Sequence, residues 1–104
     1  MSDLRQMYQE AFDAFVRGDH DAAVVAYERV IESNPDFALA HQGLAEVYGR
    51  LDRLDEAVAA IQRAIEVEPD ESLFHTSLSR LLQRQGKIPE AEAAAAEAGR
   101  LQHG

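Results

Sequence analysis

In the middle third of the chain, apolar positions recur along two successive helical faces. His41, Leu44, Ala45 and Tyr48 fall at i, i+3, i+4 and i+7, the spacing that lines one side of a helix with 3.6 residues per turn. A break at Leu51-Asp52-Arg53 follows, and Ala57, Ile61, Ala64 and Ile65 then mark a second face of the same kind. Pro35 and Pro69 bracket the pair, because proline disfavours a helical conformation in the residue before it and has no N–H to extend the ladder. Gly18 and Gly86 supply the backbone freedom of a helix exit, and Asp36 and Asp70 read as N-caps of the helices after the prolines. Together these signals predict helices near residues 3–17, 20–33, 37–50, 54–67, 71–85 and 88–101.

The pattern is periodic. A shift of 34 residues superimposes Asn34-Pro35-Asp36 on Glu68-Pro69-Asp70, and Asp55-Glu56-Ala57 on Pro89-Glu90-Ala91. The same shift relates Gly18, Asp52 and Gly86, and the small residues Ala11, Ala45 and Ser79 and Ala23, Ala57 and Ala91. One register fixes all of these matches. Small side chains at these six positions let the two helices of a hairpin approach closely, while Tyr27, Tyr48, Ile61 and Leu82 fill the space between hairpins.

In its spacing the chain resembles the tetratricopeptide repeat, a helical hairpin with Trp-x2-Leu-Gly-x2-Tyr, then Ala-x3-Phe, then Pro. His41, Leu44, Ala45, Tyr48, Ala57, Ile61 and Pro69 carry the resemblance in the middle repeat, and Met7, Ala11, Ala14, Gly18, Ala23, Tyr27 and Pro35 in the first. His75, Leu78, Ser79, Leu82, Gly86 and Ala91 carry it in the third, which then weakens to Ala95 and has His103 where the proline would stand. The resemblance implies an all-α, right-handed superhelical stack of three antiparallel helix-turn-helix hairpins, an α-solenoid. It spans residues 1–104 as one domain, with repeats at about 4–37, 38–71 and 72–104. It implies a module that binds another protein.

Composition narrows the partners. The chain has 104 residues and a net charge of −9, without the basic footprint that non-specific nucleic-acid binding needs. The charge is uneven: residues 1–37 and 38–71 each carry −5, and residues 72–104 carry +1. No apolar run is long enough to span a bilayer, and the first residues lack the layout of a secretory signal, so a cytoplasmic protein is expected. Without cysteine there is no disulfide framework, thiolate metal site or thiol nucleophile.

The first helix of each hairpin resembles the lining of a concave groove. Its positions, one residue round from the packing face, are Arg5, Tyr8, Phe12 and Phe15, then Leu39, Gln42, Glu46 and Gly49, then Leu73, Thr76, Arg80 and Gln83, with Arg84 beside them. The groove is expected to run from aromatic to basic. Glu10 falls on the first helix's own packing face, so either that helix rotates and takes Tyr8 and Phe12 into the core, or these rings stay open for an apolar anchor. Arg80 and Arg84, at i and i+4, with Arg50 one repeat earlier, either hold a carboxylate of a ligand or pair internally with acids such as Glu46. Some tetratricopeptide domains clamp acidic chaperone tails with two Lys, two Asn and an Arg. The matching positions here are Tyr8, Phe12, Gly43, Leu73 and Ser77, so that function is not expected.

His41 and His75 occupy the family's large packing position and lie roughly one helix diameter, on the order of 10 Å, apart, too far to share a zinc ion. His20 is placed in a turn and His103 in the tail. No catalytic triad, phosphate loop or HExxH motif is found, so no catalytic, cofactor or metal residue is expected. The Ala-rich last helix either caps the stack or leaves Leu82, Ile88 and Leu101 as a patch for association. The expected function is therefore a scaffold or adaptor that binds a peptide or helix through Tyr8, Phe12, Gln42, Glu46, Arg50, Arg80, Gln83 and Arg84, with a weakly self-associating assembly module as the alternative.

Overall fold

A computed structural model describes residues 3–103. It contains six helices in three hairpins: α1 (Leu4–Val16) with α2 (His20–Ser33), α3 (Ala38–Arg50) with α4 (Leu54–Val67), and α5 (Ser72–Arg84) with α6 (Ile88–His103). The helices fall where the sequence predicts them, apart from α6, which runs two residues further. The stack measures 43 × 28 × 19 Å, and each helix packs chiefly on its hairpin partner and then on the next hairpin.

Each hairpin turns by the same device. Gly18 and Gly86 have φ of 82° and 80°, and Asp52 at the equivalent place has φ of 61°. A residue in this left-handed region lets the chain leave the helix while its last carbonyls are still satisfied. Asp19, Arg53 and Lys87 donate their amides to the carbonyls of Ala14, Tyr48 and Leu82, each at 2.9 Å. The 34-residue register is thus visible in single backbone hydrogen bonds.

The turns between hairpins are built differently from the sequence expectation. Asp36 and Asp70 are not N-caps, because α3 and α5 begin one residue later than a cap at either position requires. Phe37 stands at the cap of α3 without a side-chain bond, and Glu71 caps α5 by accepting from the Leu73 amide at 3.2 Å. Asn34 Oδ1 instead accepts the Asp36 amide at 3.1 Å within the turn. His41 and His75 then fasten the turns: each Nε2–H donates to the carbonyl of the proline six residues earlier, Pro35 or Pro69, at 2.8 Å. His20 follows the predicted helix bounds and not its placement in a turn. It is the first residue of α2, not part of the turn, because Asp19 caps that helix.

The six small positions lie inside. Ala11, Ala23, Ala57 and Ala91 are fully covered, Ala45 is 1% exposed and Ser79 6%. Ser79 Oγ donates to the Ala91 carbonyl at 2.8 Å, so the facing backbones of α5 and α6 are a single side chain apart. Between hairpins, the Tyr27 ring lies directly over Gly43, where any Cβ would overlap it. Tyr27, Val30, Val47, Ile61 and Phe74 are the largest apolar side chains with essentially no exposure.

The ends of the stack differ from its middle. Gln6, Gln9, Glu10 and Asp13 on α1 are all exposed, whereas their 34-residue equivalents Ala40, Gly43, Leu44 and Val47 are buried against the preceding hairpin. Glu10 is therefore no flaw in a packing face. It belongs to a polar outer surface, where Gln9 Nε2 donates to Asp13 Oδ1 at 2.9 Å. On α6, Glu92 and Ala95 are exposed at positions held by buried Val58 and Ile61 in α4. Of the residues considered for an end patch, Leu82 is buried and Ile88 is 48% exposed.

Two outcomes follow. A Cβ on Gly86 would meet no atom within 4 Å, so Gly86→Ala isolates backbone strain. It should lower the urea-unfolding free energy by about 1–2 kcal/mol, the cost of a side chain in the left-handed region. Burial raises the Tyr27 hydroxyl above its ordinary pKa of 10.0, with the nearby Tyr8 and Glu46 adding to the effect. Below pH 10 both folded and unfolded chains keep that proton; above it the unfolded chain loses it first, so stability should fall from about pH 10 upward. Tyr27→Phe should flatten this alkaline decline in unfolding experiments run at a series of pH values.

Candidate functional site

Because successive helices run antiparallel, α1, α3 and α5 are parallel and line one face of the stack. Their inward-facing residues form a shallow groove with chemically distinct parts.

Its first end is aromatic. Tyr8 is half-buried, its ring centroid 5.8 Å from that of Tyr27 and 5.5 Å from that of Phe37. Burial raises its hydroxyl pKa. Phe12, one turn on, is 42% exposed. The first helix thus divides its rings: Tyr8 packs against the core, Phe12 stays open to solvent, and Phe15 is half-buried with the Arg50 guanidinium 5.4 Å from its centroid.

The other end is a basic cleft of about 180 Å³ between α3 and α5. Ala45, Gly49 and Ser77 form a low floor, which leaves room for the heads of Arg50, Arg80 and Arg84 above it. Arg80 Nη2 lies 3.5 Å from Glu46 Oε1 and 3.4 Å from Ser77 Oγ, and Arg84 Nη2 lies 3.1 Å from Asp52 Oδ1. Both arginines thus have internal acidic partners, but each pair is held through one nitrogen at a largely exposed site. Such pairs contribute about 0–1 kcal/mol, so an incoming carboxylate displaces them cheaply. Gln42 is half-buried between the two ends and Gln83 is exposed. Leu39 and Leu73, at equivalent places near the starts of α3 and α5, are 44% and 49% exposed. They add an apolar edge to the groove.

A second concavity, which the sequence did not announce, lies on the other side of α3. It is a seam of about 400 Å³ between α2 and α4, floored by Leu44 and Tyr48 and rimmed by Glu28, Glu32 and Glu56. It exists because the small side chains of Ala59 and Ala60 leave its α4 wall low, and a space between three helices is not visible in the pattern of any single helix.

Among the described residues, no group of three or more His, Asp or Glu side chains is placed to hold a metal ion, and no helix is long and apolar enough to cross a membrane.

A family model described as tetratricopeptide repeat matches residues 14–81, and a second with the same description matches residues 72–97. The chain belongs to the tetratricopeptide repeat family. Among solved structures, this tetratricopeptide chain is similar to a crystal structure of MamA, with a TM-score of 0.93 and 23% identity over 97% of this chain. It spans only 59% of the MamA chain. It is also similar to the type III secretion translocator chaperone SycD of Yersinia enterocolitica, captured as an alternative dimer, with a TM-score of 0.92 and 22% identity over 97% of this chain and 77% of that one. A further SycD structure, in complex with a peptide of the translocator YopD, gives a TM-score of 0.92 and 22% identity over 97% of this chain and 78% of that one. At such identities the likeness is one of fold. No curated protein sequence matches the chain significantly.

Since the groove's ion pairs are exposed, they should matter little to folding. Glu46→Gln and Arg80→Glu should each change the urea-unfolding free energy by less than about 1 kcal/mol. A larger loss for either would show that the groove residues support the fold.

Proposed function

We propose that this tetratricopeptide chain is a cytoplasmic scaffold or adaptor that binds a peptide or helix of a partner protein in the groove of α1, α3 and α5, without chemistry of its own. The observation that carries the reading is the cleft where Arg50, Arg80 and Arg84 converge over a floor of small side chains. Three guanidinium groups around one recess suit a carboxylate, which each can bind by charge-assisted hydrogen bonds. Phe12, Leu39 and Leu73 are exposed on the same face, and an apolar side chain of the ligand would be shielded from water there. The ligand is thus a segment with an acidic residue at the α3–α5 cleft and an apolar one toward α1. The SycD structure with a YopD peptide supports peptide recognition by this fold.

The test uses a displayed library of random short peptides. Sequences pairing Asp or Glu with a large apolar residue should be enriched on the wild-type chain. Arg80→Glu combined with Arg84→Glu should weaken the resynthesised peptide by roughly a hundredfold, as loss of two charge-assisted contacts implies. Phe12→Ala should weaken it by roughly tenfold through lost apolar contact. Circular dichroism should remain helical in both cases. Unchanged affinity in both would remove the groove as the binding surface.

A further inference from the structure

The seam between α2 and α4 has the opposite character to the groove. Its floor is Leu44 and Tyr48 from α3, with Ile31 on one wall and Ala60 on the other. These residues lie at the junction of the first two hairpins. The volume of about 400 Å³ is more than twice that of the arginine cleft, and suits one large apolar side chain with its neighbours.

The rim is charged in a particular way. Glu56 is already engaged: Arg53 donates to both of its oxygens, at 2.7 and 2.6 Å, and places its guanidinium 4.9 Å from the Tyr48 centroid. Arg63 is engaged with Glu66 at 3.2 Å. Glu28 and Glu32 are exposed and have no ion pair among the described residues. They stand at i and i+4 on α2, on one face and about 6 Å apart, where like charges repel mildly. A cation placed between them relieves that repulsion.

We propose that this seam docks a basic amphipathic segment of a partner protein, seating one large apolar side chain on Leu44 and Tyr48 and a Lys or Arg against Glu28 and Glu32. The charge of the seam selects this occupant over an acidic segment. A second copy of this chain is a poor fit, because each copy carries −9 and would bring further acid to an acidic rim. The corresponding junction of the second and third hairpins has Gln62 in place of Glu28 and Leu82 in place of Tyr48, so the site is particular to one seam. A chain that uses both faces joins an acidic segment to a basic one across a single layer of helix.

The experiment is the same displayed selection, run on a variant whose groove is disabled by Phe12→Ala and Arg80→Glu. Sequences with a Leu, Phe or Trp and a Lys or Arg one helical turn away should be enriched. The resynthesised peptide should bind this variant and the wild type equally. Its affinity should fall by roughly tenfold or more with Glu28→Lys and Glu32→Lys together, since a like charge replaces each attractive one. Ala59→Arg, an exposed change on the α4 wall, should obstruct the floor and weaken it as well, while circular dichroism stays helical. Enrichment of acidic or uncharged sequences, or of none, overturns the proposal, as does a basic peptide indifferent to Glu28, Glu32 and Ala59. A concentration-dependent mass in light scattering that Ala59→Arg abolishes would seat a second copy in the seam and overturn it too. Failure here leaves the groove reading standing, because the groove is tested with its own acidic peptides and its own variants.

Discussion

Packed helices lie about 8–10 Å apart according to the side chains at their contact, and the shorter distances require small ones. In this chain Ala or Ser occupies all six of the repeat-equivalent hairpin positions, Ala11, Ala23, Ala45, Ala57, Ser79 and Ala91, each essentially without exposure. The hydrogen bond from Ser79 Oγ to the Ala91 carbonyl shows how near the backbones come. A larger side chain at any of them would separate the pair and loosen contacts along the whole helix. The left-handed turn residues act in the same direction, since they reverse the chain tightly enough for the partners to meet.

Tight pairing within hairpins leaves the larger residues to work between them. Tyr27 over Gly43 holds the first two hairpins together, fully buried Ile61 stands at the equivalent position one repeat on, and the proline turns set where each hairpin begins. The histidines show how a side chain can replace the family's usual bulk and still serve the junction. His41 and His75 fill part of that space and use Nε2–H to hold the proline carbonyl of the preceding turn. Three hairpins joined in this way leave α1, α3 and α5 as one wall and α2, α4 and α6 as the other. Both concavities result from that division. The groove follows the first wall, and the seam opens where small residues lower the second.

The sequence made the fold legible because a repeat states its rules three times. Gly18 alone is an ambiguous glycine; Gly18, Asp52 and Gly86 in register identify a turn. What was lost in reading depended on relations between helices. Glu10 is out of place only against the packing face of its own helix. The surface that matters is the one facing a preceding hairpin, and on α1 that surface is polar. Asp36 and Asp70 looked like caps because they follow prolines, but a cap is defined by where the first helical turn starts, and that differs by one residue. In the candidate groove, the positions of Phe12, Arg50, Arg80 and Arg84 were readable from helical phase. The separate fates of Tyr8 and Phe12 were not, since they depend on Phe37, which reaches Tyr8 from the turn between hairpins.

The two faces differ in how they meet the charge of the whole molecule. A net charge of −9 repels an acidic ligand at long range, and the arginine cleft dominates only within about one Debye length, on the order of 8–10 Å at physiological salt. Moderate salt therefore aids the approach to the groove by screening the repulsion, while it weakens the final ion pairs. At the acidic seam both effects have the same sign: the overall field draws a basic segment in, and salt diminishes attraction at every distance. The same net charge thus makes one face selective at close range and the other attractive from afar. This asymmetry arises from the composition of the repeats. Residues 1–37 and 38–71, which build the walls of the seam, each carry −5, whereas residues 72–104, which supply Arg80 and Arg84, carry +1.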